Sequence, residues 1–186
     1  TDAAGNLGSS GSDTVTIDTV NPTVAVDIVD ASLNDADNAS LVSFVFSEAP
    51  VNFTAADLTA VGGTVTGLAQ DLVGDPSGKT WTATFTAADG FAGTGSVTVG
   101  NSWEDAAGNA GVGAADTVAI DRVNPTVTVD IVDTSLNDGD TASTVTFTFS
   151  EVPANFTDAD LTVVGGTVTG LTQDLAGDPS GKTYTA

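Results

Sequence analysis

Residues 1–83 recur as residues 104–186 at a constant offset of 103, and no other feature restricts the fold as much. Asp2-Ala-Ala-Gly-Asn6 returns as Asp105-Ala-Ala-Gly-Asn109, Val20-Asn-Pro-Thr-Val24 as Val123-Asn-Pro-Thr-Val127, and Gly74-Asp-Pro-Ser-Gly-Lys79 as Gly177-Asp-Pro-Ser-Gly-Lys182. Solenoid and propeller units are only about 20 to 50 residues long. A period of this length therefore predicts self-contained folds on a string.

Within each period apolar residues alternate, as a half-buried strand requires. Val145, Phe147 and Phe149 point one way and Thr144, Thr146, Thr148 and Ser150 the other; Val42, Phe44 and Phe46 repeat the pattern one period earlier. Further strands are expected over 23–29, 57–61, 64–68, 80–86, 95–99 and 116–120, separated by Gly, Asp, Asn or Pro. Seven short strands in about one hundred residues predict an all-β fold class: tandem immunoglobulin-like antiparallel β-sandwich domains of about 103 residues. Trp81, Phe85, Phe44 and Phe46 are the expected aromatic centre of the core.

The register divides the chain. Residues 21–123 form a complete unit; residues 1–20 correspond to the closing loop and last strand of a preceding one. Residues 124–186 form a partial unit that lacks its last two strands, so that longer arrays or a neighbouring molecule would have to supply them.

Charge narrows the function. The chain of 186 residues carries 25 acidic and three basic side chains (Lys79, Arg122 and Lys182), a formal net charge of -22. Binding to a phosphate backbone has almost no electrostatic support, so nucleic acid is excluded as a partner. Of the acidic residues 22 are Asp and three are Glu (Glu48, Glu104 and Glu151), which favours turns over helices. Like charges at this density repel, and bound Ca²⁺ is the simplest neutralising partner. Cysteine, histidine and methionine are absent, which removes disulfides, thiolate chemistry and the usual general base. The expectation is a protein without catalytic activity. No apolar run approaches the roughly 18 residues that span a bilayer, so no membrane insertion is expected in this window.

The motifs Val-Asn-Pro-Thr-Val at each start, Phe-Thr-Phe-Ser-Glu151, Asn-Phe-Thr-Asp-Ala-Asp160-Leu, the Asp89-Gly-Phe turn and Asp105-Ala-Ala-Gly-Asn109 occur in order. Together they resemble the bacterial Ig-like tandem repeats of giant biofilm-associated and RTX-type surface adhesins. The resemblance covers the whole chain. It implies an extracellular extender on the bacterial cell surface, commonly Ca²⁺-bound, that supports adhesion and biofilm formation by projecting a terminal binding domain.

Candidate cation ligands follow from the strand register. Strands running up and down in sequence order gather Glu48, the 71–79 loop and the 103–110 loop, with Glu104, Asp105 and Asn109, at one end of a unit. The opposite end collects Asp30, Asp35, Asp37, the Asp89-Gly90 turn and the exit through Asp121. Stacked units would bring Asp89 and Asp121 against Glu151 and Asn124, and oxygen ligands from two domains suit a six- to eight-coordinate hard cation. The linker Asp121-Arg-Val-Asn-Pro125 supports a stiff joint, because proline fixes its own dihedral and extends the residue before it. Asp18, Asp2 and Asn6 join the set as the counterparts of Asp121, Asp105 and Asn109. Asp30, Asp35 and Asp37, with Asp133, Asp138 and Asp140, are second-rank candidates. Asn137-Asp-Gly-Asp140 lacks the distal Glu and flanking helices of an EF-hand.

The reading that follows is a spacer stiffened by Ca²⁺ at domain ends and junctions, whose partners are neighbouring repeats of the same chain. Two others stay open: a fibre or surface layer in which copies pack laterally, and a Ca²⁺-dependent module that binds carbohydrate or protein.

Overall fold

Alternation in the sequence becomes two-faced strands in the structure, a computed structural model that describes residues 1–186. The chain divides into two units, 1–123 and 124–186. In the first, strands β1 (Val24–Ile28), β2 (Ser32–Leu33), β3 (Ala39–Phe46), β4 (Leu58–Val61), β5 (Gly63–Gln70), β6 (Thr80–Ala87), β7 (Ala92–Val99) and β8 (Ala114–Asp121) make two four-stranded sheets. Their orders are β1-β3-β6-β5 and β2-β8-β7-β4. On β3, Ser40, Val42, Phe44 and Phe46 are buried while Leu41 and Val45 face out, and on β6 Ala83, Phe85 and Ala87 are buried. Val97, Val99, Val118 and Ile120 of the second sheet belong to the same core. Each buried Val, Ile or Phe among them stabilises the fold by roughly 1.5–3 kcal/mol.

The topology departs from a simple up-and-down order. β2 is an additional two-residue strand that pairs in parallel with β8 through Ser32 and Leu33, and the chain changes sheet between β4 and β5. That change occurs at Gly62, whose φ of +73° and close approach to the Phe91 ring leave no place for a side chain. The expected strand over 57–61 begins one residue late, because 55–57 is a 3-10 turn. Both units hold only such turns and no α-helix, and no helix is long and apolar enough to cross a membrane.

The aromatic centre is larger than Phe44, Phe46 and Phe85. Phe53 and Trp103 are buried in it, whereas Trp81 is only partly buried. Phe53 stands edge-on to Phe46 (4.9 Å), Trp81 (5.4 Å) and Phe44 (5.9 Å), and Phe46 to Trp103 (4.8 Å), the geometry ring quadrupoles favour. A loop residue reaches the core here through local chemistry. Asn52 takes a left-handed φ of 61°, and Thr54 and Asp57 form a reciprocal capping box that starts the 3-10 turn. Asp57 is buried and also accepts the Ser102 hydroxyl.

Residues 124–186 hold counterparts of β1 to β6 only, and form one sheet, β11-β12-β10-β9, from β9 (Val127–Ile131), β10 (Val145–Phe149), β11 (Thr172–Gln173) and β12 (Thr183–Thr185). In the first unit β4 pairs with β7 and β2 with β8. Residues 135–136 and 161–164, the counterparts of β2 and β4, form no strands. All five residues of β9 are exposed. The capping turn forms regardless: Asn155 has φ 61°, and Phe156 packs on Phe149 and Tyr184 at 4.8 and 5.2 Å. Residues 1–20 likewise contain no strand, and Val15 and Ile17 are exposed. Their counterparts Val118 and Ile120 are buried in β8, which pairs with β7 and β2.

Candidate metal centre

The Asp105-Ala-Ala-Gly-Asn109 loop folds on itself. Asp105 Oδ1 accepts the backbone N–H groups of Ala107 (2.8 Å) and Asn109 (2.9 Å), and Oδ2 accepts Asn109 Nδ2–H (2.8 Å). Gly108 at φ +88° turns the chain. Asp2-Ala-Ala-Gly-Asn6 repeats this geometry, with donor distances of 2.9, 2.9 and 2.8 Å and Gly5 at φ +89°. Side-chain bonds to the local backbone are what short Asp and Asn side chains make, so the conformation is local. Burial is not: Asp105 is buried at 2% exposure, whereas Asp2 is exposed.

Tertiary contacts set that burial. Trp103 is 1% exposed and donates its Nε1–H to the Gly100 carbonyl, and Gly111 lies so close to the indole that any side chain there would collide. Burial alone would raise the Asp105 pKa, yet the hydrogen bonds from Asn109 and from the Ala107 and Gly108 backbone hold it below the ordinary carboxylate value. Asp105 therefore stays a carboxylate in a buried position.

Two more carboxylates converge on it. Oxygens of Asp18, Glu48 and Asp105 all lie within 4.8 Å of one another. Asp18 comes from the extended segment ahead of β1, where its carbonyl accepts Asn109 Nδ2–H at 3.3 Å. Glu48 follows β3, and its neighbour Ser47 is tied to Thr23 by bonds in both directions. Thr16, Ile17, Ala106 and Ala107 line the open cleft around Asp18 and Glu48. No salt bridge reaches the three carboxylates, since both ion pairs of the molecule belong to Arg122. Lys79 donates to the Ser47 carbonyl instead. A half-open, all-oxygen, uncompensated set of this kind fits Ca²⁺, which takes six to eight oxygens and accepts carbonyls and water among them.

Other sequence candidates lie elsewhere. Glu104 forms backbone bridges to Val51 and Ala110, and its Oε1 accepts Asn52 Nδ2–H at 3.2 Å. Asp2 and Asn6 close their own exposed loop. Asp121 is exposed and accepts Val123 N–H at 3.4 Å. Asn124 is exposed, and Glu151 is half-buried after β10. Asp89 is exposed beside the Arg122 guanidinium, 3.7 Å from Nη2. Of the second-rank group, Asp35 pairs with Arg122 Nε at 2.9 Å. Asp30, Asp37, Asp133, Asp138 and Asp140 join no cluster of three. The signal for the Arg122 and Asp35 pairing in the sequence is a lone arginine beside an Asp-rich end.

Among known families, the one described as bacterial Ig-like domain matches this chain twice, at residues 18–122 and 121–186. No curated protein and no solved structure matches it.

Proposed function

The chain belongs to the bacterial Ig-like domain family, and on that premise we propose that it is a spacer segment of an extracellular bacterial adhesin. In this reading Ca²⁺ held by Asp18, Glu48 and Asp105 stiffens the start of the complete unit. The array then carries a distal binding domain away from the cell, in support of adhesion and biofilm formation. The observation that carries the reading is the convergence of those three carboxylates without a basic partner. One of them, Asp18, belongs by the repeat to the closing strand of the unit before.

The distribution of charge supports the same view. In the strands of the first unit only Asp27, Asp116 and the terminal Asp121 are acidic. The outward faces carry Thr, Ser and Ala beside exposed Leu41, Val45 and Val61, while the carboxylates gather where strands end. By the repeat, Asp121 and Glu151 are the counterparts of Asp18 and Glu48.

Isothermal titration of the full chain with Ca²⁺ tests the proposal. Binding that disappears in Asp18→Asn and Glu48→Gln, both still folded by circular dichroism, is the expected result. Absence of heat in the wild type, or titrations unchanged by both substitutions, overturns it.

A further inference from the structure

The far end of the first unit is organised differently, around a cation that belongs to the chain. Arg122 follows β8, and its side chain is 13% exposed. Nε donates to Asp35 Oδ1 at 2.9 Å, Nη1 donates to the Ala87 carbonyl at 2.6 Å, and Nη2 lies 3.7 Å from Asp89 Oδ1. Its backbone is held as well: Arg122 N–H donates to Phe91 O at 2.9 Å, and Arg122 O accepts Gly90 N–H at 3.0 Å. One residue thus ties the end of β8 to the β2–β3 loop, the end of β6 and the β6–β7 turn.

We propose that Arg122 acts as a built-in cation that fixes the exit of the first unit without bound metal. A guanidinium is planar, permanently charged and weakly hydrated, so it forks between a carboxylate and a carbonyl at small entropic cost. It compensates Asp35 and Asp89 at an end where the carboxylates would otherwise repel. It also shortens the free linker. Only Val123, Asn124 and Pro125 stand between this clamp and Thr126, whose N–H donates to Ser150 Oγ at 2.9 Å; Pro125 restricts both itself and Asn124.

The device is particular to this position. The counterpart of Arg122 one repeat earlier is Thr19, which has neither the charge nor the reach. The two ends of the unit therefore differ in kind: the start presents three uncompensated carboxylates, and the exit carries its own counter-ion. Only the use of this clamp in a spacer rests on the reading above; the clamp itself stands with or without Ca²⁺ at Asp18, Glu48 and Asp105.

Amide hydrogen exchange on the full chain, resolved by residue, tests it. Arg122→Thr should speed exchange at Gly90 and Arg122 about tenfold, as for loss of a charge-assisted hydrogen bond, and leave Phe85 and Val97 unchanged. Asp35→Asn should reproduce the effect in part, and Arg122→Lys should rescue only part of the protection, because an ammonium cannot fork. In the wild type a chelator should leave Gly90 and Arg122 as they were, even if it loosens the Asp18 end. Unchanged exchange in Arg122→Thr overturns the proposal, as does an equal rise through the whole core. Loss of protection at Gly90 on chelation assigns the fixing to a metal and overturns it too.

Discussion

Glu48→Gln keeps the size and shape of the side chain and removes one negative charge from the group of three. Glu48 and Asp18 oxygens are within 4.8 Å, a separation at which two unit charges in water-like surroundings repel by roughly 1 kcal/mol. The water-like value applies because Asp18 is exposed and Glu48 is only half-buried. In chelator the variant should thus be more stable than the wild type by about 1 kcal/mol, which raises Tm by about 4 °C for a unit of this size. With Ca²⁺ the order should reverse. At about a hundredfold excess over Kd, a cation that binds only the folded form adds about 2.7 kcal/mol to the wild type, roughly 10 °C in Tm. The variant, short of a charged ligand, should gain much less. Differential scanning calorimetry of both proteins, with chelator and with millimolar Ca²⁺, gives all four values. A Glu48→Gln protein that shifts in the same direction by the same amount in both buffers refutes the reasoning, because the charge would then have no bearing on metal.

Phe53→Ala should cost the first unit about 3–5 kcal/mol in urea unfolding, since the ring is buried against Phe44, Phe46 and Trp81; a loss under 1 kcal/mol would remove Phe53 from the core. Asp178 has its pKa lowered from 3.8 to about 2, first by the Ser180 hydroxyl and then by the Thr183 hydroxyl. A depressed folded pKa stabilises above the unfolded value and is lost as pH falls through the folded one, so this contribution should fade from just above pH 3.8 down to about 2. Carboxyl-carbon NMR titration reads it directly. Ser180→Ala should move the titration back up, and an unmoved midpoint would refute the assignment.

Several features are legible in both copies of the sequence because neighbours along the chain suffice to make them. The Asp-Ala-Ala-Gly-Asn loop closes with the same hydrogen bonds at Asp2 and at Asp105. The Asn-Phe-Thr capping turn forms around Phe53 and again around Phe156. Strands β3 and β6 follow their two-residue alternation. The candidate site was readable only as a set of residue types. Glu104 and Asp105 are adjacent in sequence, yet one turns to Asn52 and the other to Asp18 and Glu48. Strand pairing and side-chain burial decide that division, and no local pattern encodes it.

Identical residues show where the boundary falls. Val24 and Ile28 are 8% and 5% exposed, whereas Val127 and Ile131, the same residues one period later, are 47% and 59% exposed. The sequence by itself sets the strand and the face that each of these side chains occupies, because alternation is a property of consecutive residues. Whether that face is covered depends on β7 and β8, which arrive later in the chain and close the second sheet over the first. The same holds for the meeting of Asp18, Glu48 and Asp105 and for the clamp at Arg122: the residue types are local, but their convergence across distant segments is made by the folded sandwich.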